Sequence, residues 1–213
     1  MKKKVNQREE VALSTTVADK EDDRLEICFY RSNEKPYGAF SNLYRRVIVF
    51  EDREFPTAEH AYQAGKARKE AVREWILSAP SPSLVAMAAH GLYTWDIVPN
   101  WSSTKFERMR KVLRAKFTQH SDLKELLLST GNSRLVEVGK VDNAVNRVWG
   151  EVGGKGQNML GVLLMELRDE LRNEMSSKKI VPFESEMSLN LTNQKTTDPV
   201  DWTSETQCRQ RAQ

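Results

Sequence analysis

Cysteine and histidine are scarce in this chain of 213 residues. Its two cysteines, Cys28 and Cys208, lie in different regions and form no CxxC motif. A disulfide framework is therefore not expected, and the reducing cytosol or nucleus is the expected compartment. The three histidines, His60, His90 and His120, are spaced about thirty residues apart without a partner cysteine, so no zinc site or other metal centre is expected.

Long hydrophobic runs and a dominant charge are also missing. No apolar stretch approaches the roughly 20 residues of a membrane-spanning helix. The lysine-rich start has no apolar stretch behind it, so we expect neither membrane insertion nor secretion. Residues 25–172 hold 22 basic and 18 acidic side chains. This mild excess is compatible with a phosphorylated ligand but is too weak to indicate nucleic-acid binding by itself.

The polar residues are concentrated at the two ends of the chain. Residues 1–24 are polar and of mixed charge, and 173–213 are rich in Ser, Thr, Gln and Asn without a sustained period. Such segments cannot bury enough apolar surface to fold, so both tails are predicted to be largely disordered. Between them, 25–172 is predicted to form a single domain without internal repeats, and the protein is expected to be a monomer.

Strand signals come early in the domain and helix signals follow. Residues 25–30 form a short apolar run, and 46–50 followed by 54–55 predict a small antiparallel hairpin. The remainder is mostly helical, with Thr57, Ser81 and Ser121 as suitable helix starts and Gly91 as a helix end. Apolar residues then recur at helical spacing in two later segments: Phe106, Met109, Leu113 and Phe117, then Leu160, Leu163, Leu164, Leu167 and Leu171. The predicted fold class is α+β and mainly helical.

Four polar side chains with different chemistry share one face of the first helix. Glu59, Tyr62, Gln63 and Lys66 are spaced i, i+3, i+4 and i+7. This spacing has two interpretations, a solvent-exposed helix face or a functional face that carries an acid and an amine. The other helix residues around them are small, which lets further backbone approach and favours the functional interpretation.

Two further segments carry candidate chemistry. The glycine-rich stretch 150–158, with Lys155, precedes the last helix and is either a phosphate-holding loop or a plain connector. Asp142 and Trp149 could pair a carboxylate with a stacking indole, or they could be a surface Asp and a core Trp.

Taken together, these blocks resemble the NADAR (YbiA-like) family, and the resemblance extends from about 27 to 172. The matching blocks occur in family order: Phe29-Tyr30, Phe40-Ser41-Asn42, Pro56-Thr57-Ala58-Glu59-His60 with Gln63 and Lys66, Asn100-Trp101 with Lys105 and Met109, Lys116-Phe117, Leu135-Val136-Glu137, Asp142, Trp149-Gly150, and the stretch from Gly154 to Gly161 followed by Leu164-Met165 and Arg168.

The resemblance implies a YbiA-like, mainly helical domain with a glycohydrolase site that needs no metal or cofactor. By motif position, Glu59 corresponds to the essential acidic residue and Lys66 to the lysine of the same helix. The residues expected to bind substrate are Tyr30, Asn42, Tyr62, Gln63, Trp101, Trp149, Gly150, Lys155, Gly156 and Asn158. One departure stands out, because six residues separate Asp142 from Trp149 where the family has about two. Either Asp142 or Glu151 is therefore the expected second acid.

The implied reaction is hydrolysis of a bond between ribose C1′ and nitrogen. Glu59 is expected to act as general acid/base, with Asp142 or Glu151 as its electrostatic partner. Lys66 either binds phosphate and orients Glu59, or forms a Schiff base with a ring-opened ribose. Three functions stay open: removal of ADP-ribose from guanine, free or in nucleic acid; cleavage of phosphoribosyl intermediates of riboflavin synthesis; and binding of ADP-ribose or a nucleotide without catalysis.

Overall fold

A computed structural model describes residues 25–179, with side chains up to residue 177. These residues form short strands, longer helices and two 3₁₀ turns, Tyr37–Phe40 and Thr94–Asp96. In chain order the strands and helices are β1 (Glu26–Phe29), β2 (Ile48–Phe50), β3 (Arg53–Phe55), α1 (Ala58–Ala64), α2 (Glu70–Leu77), α3 (Pro82–His90), α4 (Trp101–Gln119), α5 (Ser121–Ser129), β4 (Arg134–Glu137), α6 (Ala144–Trp149) and α7 (Met159–Lys179). The α+β, mainly helical class predicted from the sequence is confirmed.

The predicted hairpin is present as β2 and β3, which pair antiparallel with Ile48 opposite Phe55. Its turn residues Glu51 and Asp52 have φ of 51° and 58°. Two successive positive φ angles are the backbone geometry of the tight turns that match strand twist. Ile48 and Phe55 are both buried against the alanine face of α1, so the hairpin anchors the helix that carries Glu59.

A second strand pair joins two segments that are far apart in the chain. β1 and β4 run parallel in a two-stranded sheet, with Phe29 opposite Glu137. No local pattern predicted β4, because a four-residue strand whose partner lies more than a hundred residues away leaves little periodicity in the sequence. The expectation that strands are confined to the early part of the domain was therefore wrong.

The main core lies between α4, α7 and the β1–β4 sheet. The leucines predicted on α7 are all buried, as are Met109, Leu113 and Phe117 of α4. Burying a side chain of this size contributes roughly 1.5–3 kcal/mol, so these stripes fix the two long helices together. Phe106 is only partly buried and packs its ring against Trp149, at a centroid distance of 5.4 Å.

The predicted helix starts are mostly confirmed by side-chain caps. Thr57 Oγ1 accepts a hydrogen bond from the His60 N–H, and Ser81 Oγ accepts one from the Leu84 N–H. The helix predicted from the spacing of Phe106, Met109, Leu113 and Phe117 begins before the first of these residues, at Trp101. The last helix continues beyond the predicted boundary at 172 and ends at Lys179. The remainder of the predicted tails, 1–24 and 180–213, lies outside the described residues.

The unit that carries the candidate site ends at Leu171. Within residues 25–179, no helix is both long enough and apolar enough to pass through a lipid bilayer.

Candidate active site

One cavity of about 470 Å³ collects side chains from six parts of the fold. Its lining comes from the loop 41–43, from α1 and the residues that follow it, and from α3, α4, β4 and α6. Cavities of this size accommodate drug-sized or nucleotide-sized ligands.

The polar face of α1 forms one wall of this cavity. Glu59, Tyr62 and Gln63 of α1 line it together with Lys66, which lies two residues beyond the helix end, and none of the four is more than 9% exposed. The solvent-exposed interpretation of this helix face is therefore wrong. The opposite face of α1 carries Ala58, Ala61 and Ala64, which pack against the hairpin and Val112 of α4, so both sides of the helix are covered.

Glu59 is held at its carboxylate and at its backbone. Gln63 Nε2 donates to Glu59 Oε1 at 2.7 Å, and the Glu59 N–H donates to the carbonyl of Asn42 at 3.0 Å. Burial raises the pKa of Glu59 to about 7, against the opposing effects of the Gln63 hydrogen bond and the Lys66 charge. A carboxyl group with this pKa can hold or release a proton at neutral pH.

Glu137, at the end of β4, brings a second carboxylate to the same cavity. Burial, with a smaller contribution from the charge of Glu59, raises its pKa to about 7. Glu137 belongs to the Leu135-Val136-Glu137 block that resembles the family, but no sequence pattern indicated a role for it. Two carboxylates that share a desolvated site cannot both ionise easily, so one tends to keep a proton.

Two amines and an imidazole line the cavity near the carboxylates. Lys66 Nζ donates to the Ala89 carbonyl of α3 at 2.6 Å, and burial lowers the pKa of Lys66 while Glu59 partly offsets this effect. Lys105 and His90 also line the cavity. Burial lowers the pKa of His90, and the Lys66 charge lowers it further.

Aromatic rings form another part of the wall. The Tyr62 ring lies 5.2 Å from that of Trp101 and 5.5 Å, edge-on, from that of Trp149, measured between centroids. Trp101 and Trp149 are partly exposed, and both line the cavity. Indole faces of this kind can stack on a base or on the apolar face of a ribose.

A buried lysine clamps the loop that carries Asn42. Lys116 of α4 is fully buried, and its Nζ donates to the carbonyls of Ala39 and Ser41 at 2.5 and 3.0 Å. Burial lowers the pKa of Lys116 to about 7. Because the Asn42 carbonyl in turn accepts from the Glu59 N–H, this clamp extends to the start of α1.

Two buried polar atoms at the cavity are unsatisfied. Asn42 Oδ1 and Gln63 Oε1 have no hydrogen-bond partner within the part of the chain that the structure describes. Unpaired buried acceptors carry a desolvation cost, so these atoms are suited to accept hydrogen bonds from a bound ligand.

The two acids expected from the sequence as partners of Glu59 do not line this cavity. Asp142 is exposed and forms an ion pair with Arg147, whose Nε lies 2.5 Å from Asp142 Oδ1. The Glu151 carboxylate pairs with Arg134. Both acids thus have arginine partners of their own, and the structure brings Glu137 to the cavity in their place.

The glycine-rich stretch packs onto β4 and does not line the cavity. A Cβ on Gly150 would lie 2.2 Å from the Glu137 carbonyl, and one on Gly156 would lie 2.1 Å from the Gly150 carbonyl. These glycines therefore permit close backbone packing. Lys155 is exposed and closes a tight turn with Val152 through two backbone hydrogen bonds.

Asn158 and Tyr30, also expected at the site, lie outside the cavity. Asn158 is buried, and its side chain bonds the Glu137 N–H at 3.1 Å and the Leu135 carbonyl at 2.8 Å. It completes the free edge of β4 and so positions Glu137. The ring of Tyr30 contacts Lys140, whose Nζ lies 5.2 Å from the ring centre.

No group of three His, Cys, Asp or Glu side chains arranged to hold a metal ion occurs within residues 25–177.

Comparison with known proteins relates the chain to one family. N-glycosidase YbiA of Escherichia coli K12 is 42% identical over 149 residues, which cover 70% of this chain and 89% of the relative. An N-glycosidase of Nostoc punctiforme is 36% identical over 156 residues, or 71% of this chain and 96% of the relative. The NMR structure of the E. coli protein YbiA superposes with a TM-score of 0.64 at 41% identity, covering 71% of this chain and 88% of that one.

A riboflavin biosynthesis protein of Vibrio vulnificus is 33% identical over 158 residues, which are 74% of this chain but 41% of that protein. Residues 28–172 match the NADAR domain. That match covers more than half of the sequence, and it includes every residue identified above as lining the cavity. The chain belongs to the NADAR domain family.

Proposed function

We propose that this NADAR enzyme hydrolyses the bond between ribose C1′ and nitrogen, and that its substrate is ADP-ribose attached to a guanine base. The observation that carries the proposal is the pair Glu59 and Glu137 in one cavity, with burial raising the pKa of each to about 7. At neutral pH such a pair holds one proton to give and one negative charge to stabilise a cation.

These two charge states match the needs of N-glycoside cleavage. As the C1′–N bond breaks, its electron pair goes to the base nitrogen, and positive charge develops at C1′ and O4′ of the ribose. Glu59, as general acid, gives its proton to the departing nitrogen, while ionised Glu137 stabilises the cation. Water then adds to C1′ and returns a proton to Glu59. Glu137 thus takes the role that the sequence analysis left between Asp142 and Glu151.

The rest of the cavity suits a nucleotide-type ligand. Trp101 and Trp149 offer ring faces for a base or ribose, and Lys105 supplies positive charge for phosphate. Asn42 Oδ1 and Gln63 Oε1 offer acceptors for ribose hydroxyls or base N–H groups. The volume of about 470 Å³ suits a ligand of this size.

Phosphoribosyl intermediates of riboflavin synthesis are the second candidate substrate. The observation that favours them is the similarity to proteins named for riboflavin biosynthesis, in Vibrio vulnificus and in maize. A role in binding without catalysis is the weakest alternative, because a desolvated carboxylate pair destabilises the fold and binding alone does not require such a pair.

The deciding experiment incubates the full-length protein with three substrates separately: an ADP-ribosylated guanosine oligonucleotide, ADP-ribosylguanosine, and a phosphoribosylaminopyrimidine. Release of free ADP-ribose from the guanosine substrates is the expected result, and Glu59→Gln is the inactive control. Release of ribose 5-phosphate from the pyrimidine alone would establish the second candidate. Tight binding of ADP-ribose with no turnover of any substrate would establish the binding role.

A further inference from the structure

Two aromatic rings stack on each other at the protein surface instead of in its core. The rings of Tyr93 and Trp95 are 4.5 Å apart between centroids and inclined by only 10°. Both side chains remain exposed, at 65% and 62%. Neither is part of the three buried clusters, so their outer faces are open for another flat ring.

The stacked pair is on a segment that borders the cavity at both of its ends. It lies between α3 and α4, and the residues that flank this connection, His90 and Trp101, both line the cavity. Backbone hydrogen bonds fix the connection beside the segment that follows α1. The Val98 N–H donates to the Lys66 carbonyl at 3.0 Å, and the Arg68 N–H donates to the Asp96 carbonyl at 2.7 Å.

This backbone pairing places two exposed cations beside the exposed rings. Arg68 and Lys69 follow Lys66 in the chain after the buried Ala67, and both are exposed. Lys69 Nζ lies 3.6 Å from a carboxylate oxygen of Asp96, the residue next to Trp95. Two acidic side chains accompany these cations: Asp96, and Glu70, which follows Lys69 and lies 3.1 Å from Arg73 Nη1. The cations and the rings therefore lie on two segments that backbone hydrogen bonds hold side by side.

We propose that Tyr93, Trp95, Arg68 and Lys69 form a docking surface for the single-stranded nucleic acid that flanks a modified guanine in the cavity. This proposal rests on the proposed function, since it assigns the modified base to a polynucleotide. Aromatic faces that stack on bases, combined with cations that meet phosphates, are the features by which proteins bind single strands without reading sequence. A partner rich in carboxylates could pair with the cations but would offer no group that stacks on the rings.

The first test measures affinity for an unmodified, fluorescent single-stranded oligonucleotide by anisotropy. Tyr93→Ala/Trp95→Ala should weaken binding roughly 5- to 100-fold, which is the range for loss of base–aromatic stacking. Tyr93→Phe/Trp95→Phe keeps both ring faces and should bind within about twofold of the wild type. Equal affinity of the alanine and wild-type proteins would overturn the proposal, and a change of oligomeric state in that variant would then assign the surface to a protein partner.

The second test measures the salt dependence of the same binding. Arg68→Gln/Lys69→Gln should reduce the slope of log K against log salt by about 0.7 for each lost phosphate contact. Lys111→Gln is a matched control, because Lys111 is as exposed as Lys69, at 65% against 66%, and also lies near one carboxylate, Glu107. An unchanged slope in the double variant, or an equal change in the control, would contradict the assignment.

Turnover separates this surface from the cavity. The alanine double variant should lose kcat/KM on an ADP-ribosylated oligonucleotide while it keeps the wild-type value on ADP-ribosylguanosine. Equal loss on both substrates would overturn the proposal, since the rings would then act on the cavity or the fold. If the wild type cleaves neither substrate, the proposed function fails, and the binding tests still decide whether this surface holds a single strand.

Discussion

Glu59 and Glu137 reach one cavity from α1 and from the end of β4, and the charge of Glu59 adds to burial in raising the pKa of Glu137. Each carboxylate is positioned by a different part of the fold. Gln63 and the Asn42 carbonyl hold Glu59, while Asn158 and the sheet hold the backbone of Glu137. Their proximity makes the protonation of each depend on the other.

The second acid is testable by comparing three conservative substitutions. Glu137→Gln should lower kcat by roughly 10²–10⁴-fold, the usual loss when a positioned acid or base is removed. Asp142→Asn and Glu151→Gln should change kcat less than about threefold, because both acids pair with arginines outside the cavity. Circular dichroism checks that each variant is folded. A large loss in Asp142→Asn with a small one in Glu137→Gln would reverse the assignment.

The rate should depend on pH with a maximum near 7. Activity needs one protonated and one ionised carboxylate, and burial raises the pKa of both Glu59 and Glu137 to about 7. At lower pH both groups gain protons, at higher pH both lose them, and kcat/KM should fall on each side. Glu59→Gln should abolish most turnover, whereas Glu54→Gln, in the exposed part of the hairpin, should match the wild type. A kcat/KM that stays constant between about pH 5 and about pH 9 would contradict the shared-proton mechanism.

The clamp that Lys116 forms with the Asn42 loop should make the free energy of unfolding depend on pH. Burial lowers the pKa of Lys116 from 10.5 to about 7, so the folded protein binds fewer protons than the unfolded chain between these values. The free energy of unfolding should therefore rise with pH between about 7 and 10.5, by about 5 kcal/mol at most, and should not depend on this group below or above that range. Lys116→Met should lack this component in urea titrations, whereas Lys111→Met, at an exposed site, should retain it.

Trp149 should affect binding more than folding. Its ring packs edge-on against Tyr62 and is partly exposed in the cavity, so it can meet a base or ribose. Trp149→Ala should weaken ligand affinity by about 1–3 kcal/mol, the range for loss of one stacking partner. Trp149→Phe keeps a ring face and should therefore retain much of the wild-type ligand affinity. Calorimetric titration with ADP-ribose gives the affinity, and thermal unfolding gives the stability; an unchanged affinity would exclude stacking on Trp149.

Lys66 is expected to form a reducible adduct with the ring-opened ribose of the released ADP-ribose. Burial lowers the pKa of Lys66, and a neutral amine can attack the C1′ aldehyde of a ring-opened ribose, with loss of water to form an imine. Borohydride reduces that imine to a stable secondary amine. Peptide mass mapping after reduction should locate the added mass on Lys66 and leave the exposed Lys111 unmodified. An unmodified Lys66 would leave phosphate binding and orientation of Glu59 as its role.

Several features follow from local sequence patterns alone. The caps at Thr57 and Ser81, the β2–β3 hairpin and the leucine stripe of α7 depend on neighbours within a few residues, and all are confirmed. The polar face of α1 was also recognisable, because helical spacing brings Glu59, Tyr62 and Gln63 together wherever the helix lies. Lys66 reaches the same cavity from the turn that follows the helix.

Other features depend on which distant segments meet, and the tertiary structure alone decided them. Glu137 joins Glu59 because β4 pairs in parallel with β1, an interaction that no local periodicity encodes. The same pairing requires Gly150, Gly156 and Asn158 to pack against β4, so residues that resembled a phosphate loop instead support the strand. Long-range strand pairing and burial also set the pKa of each carboxylate, because desolvation depends on everything that surrounds a side chain and not on its sequence neighbours.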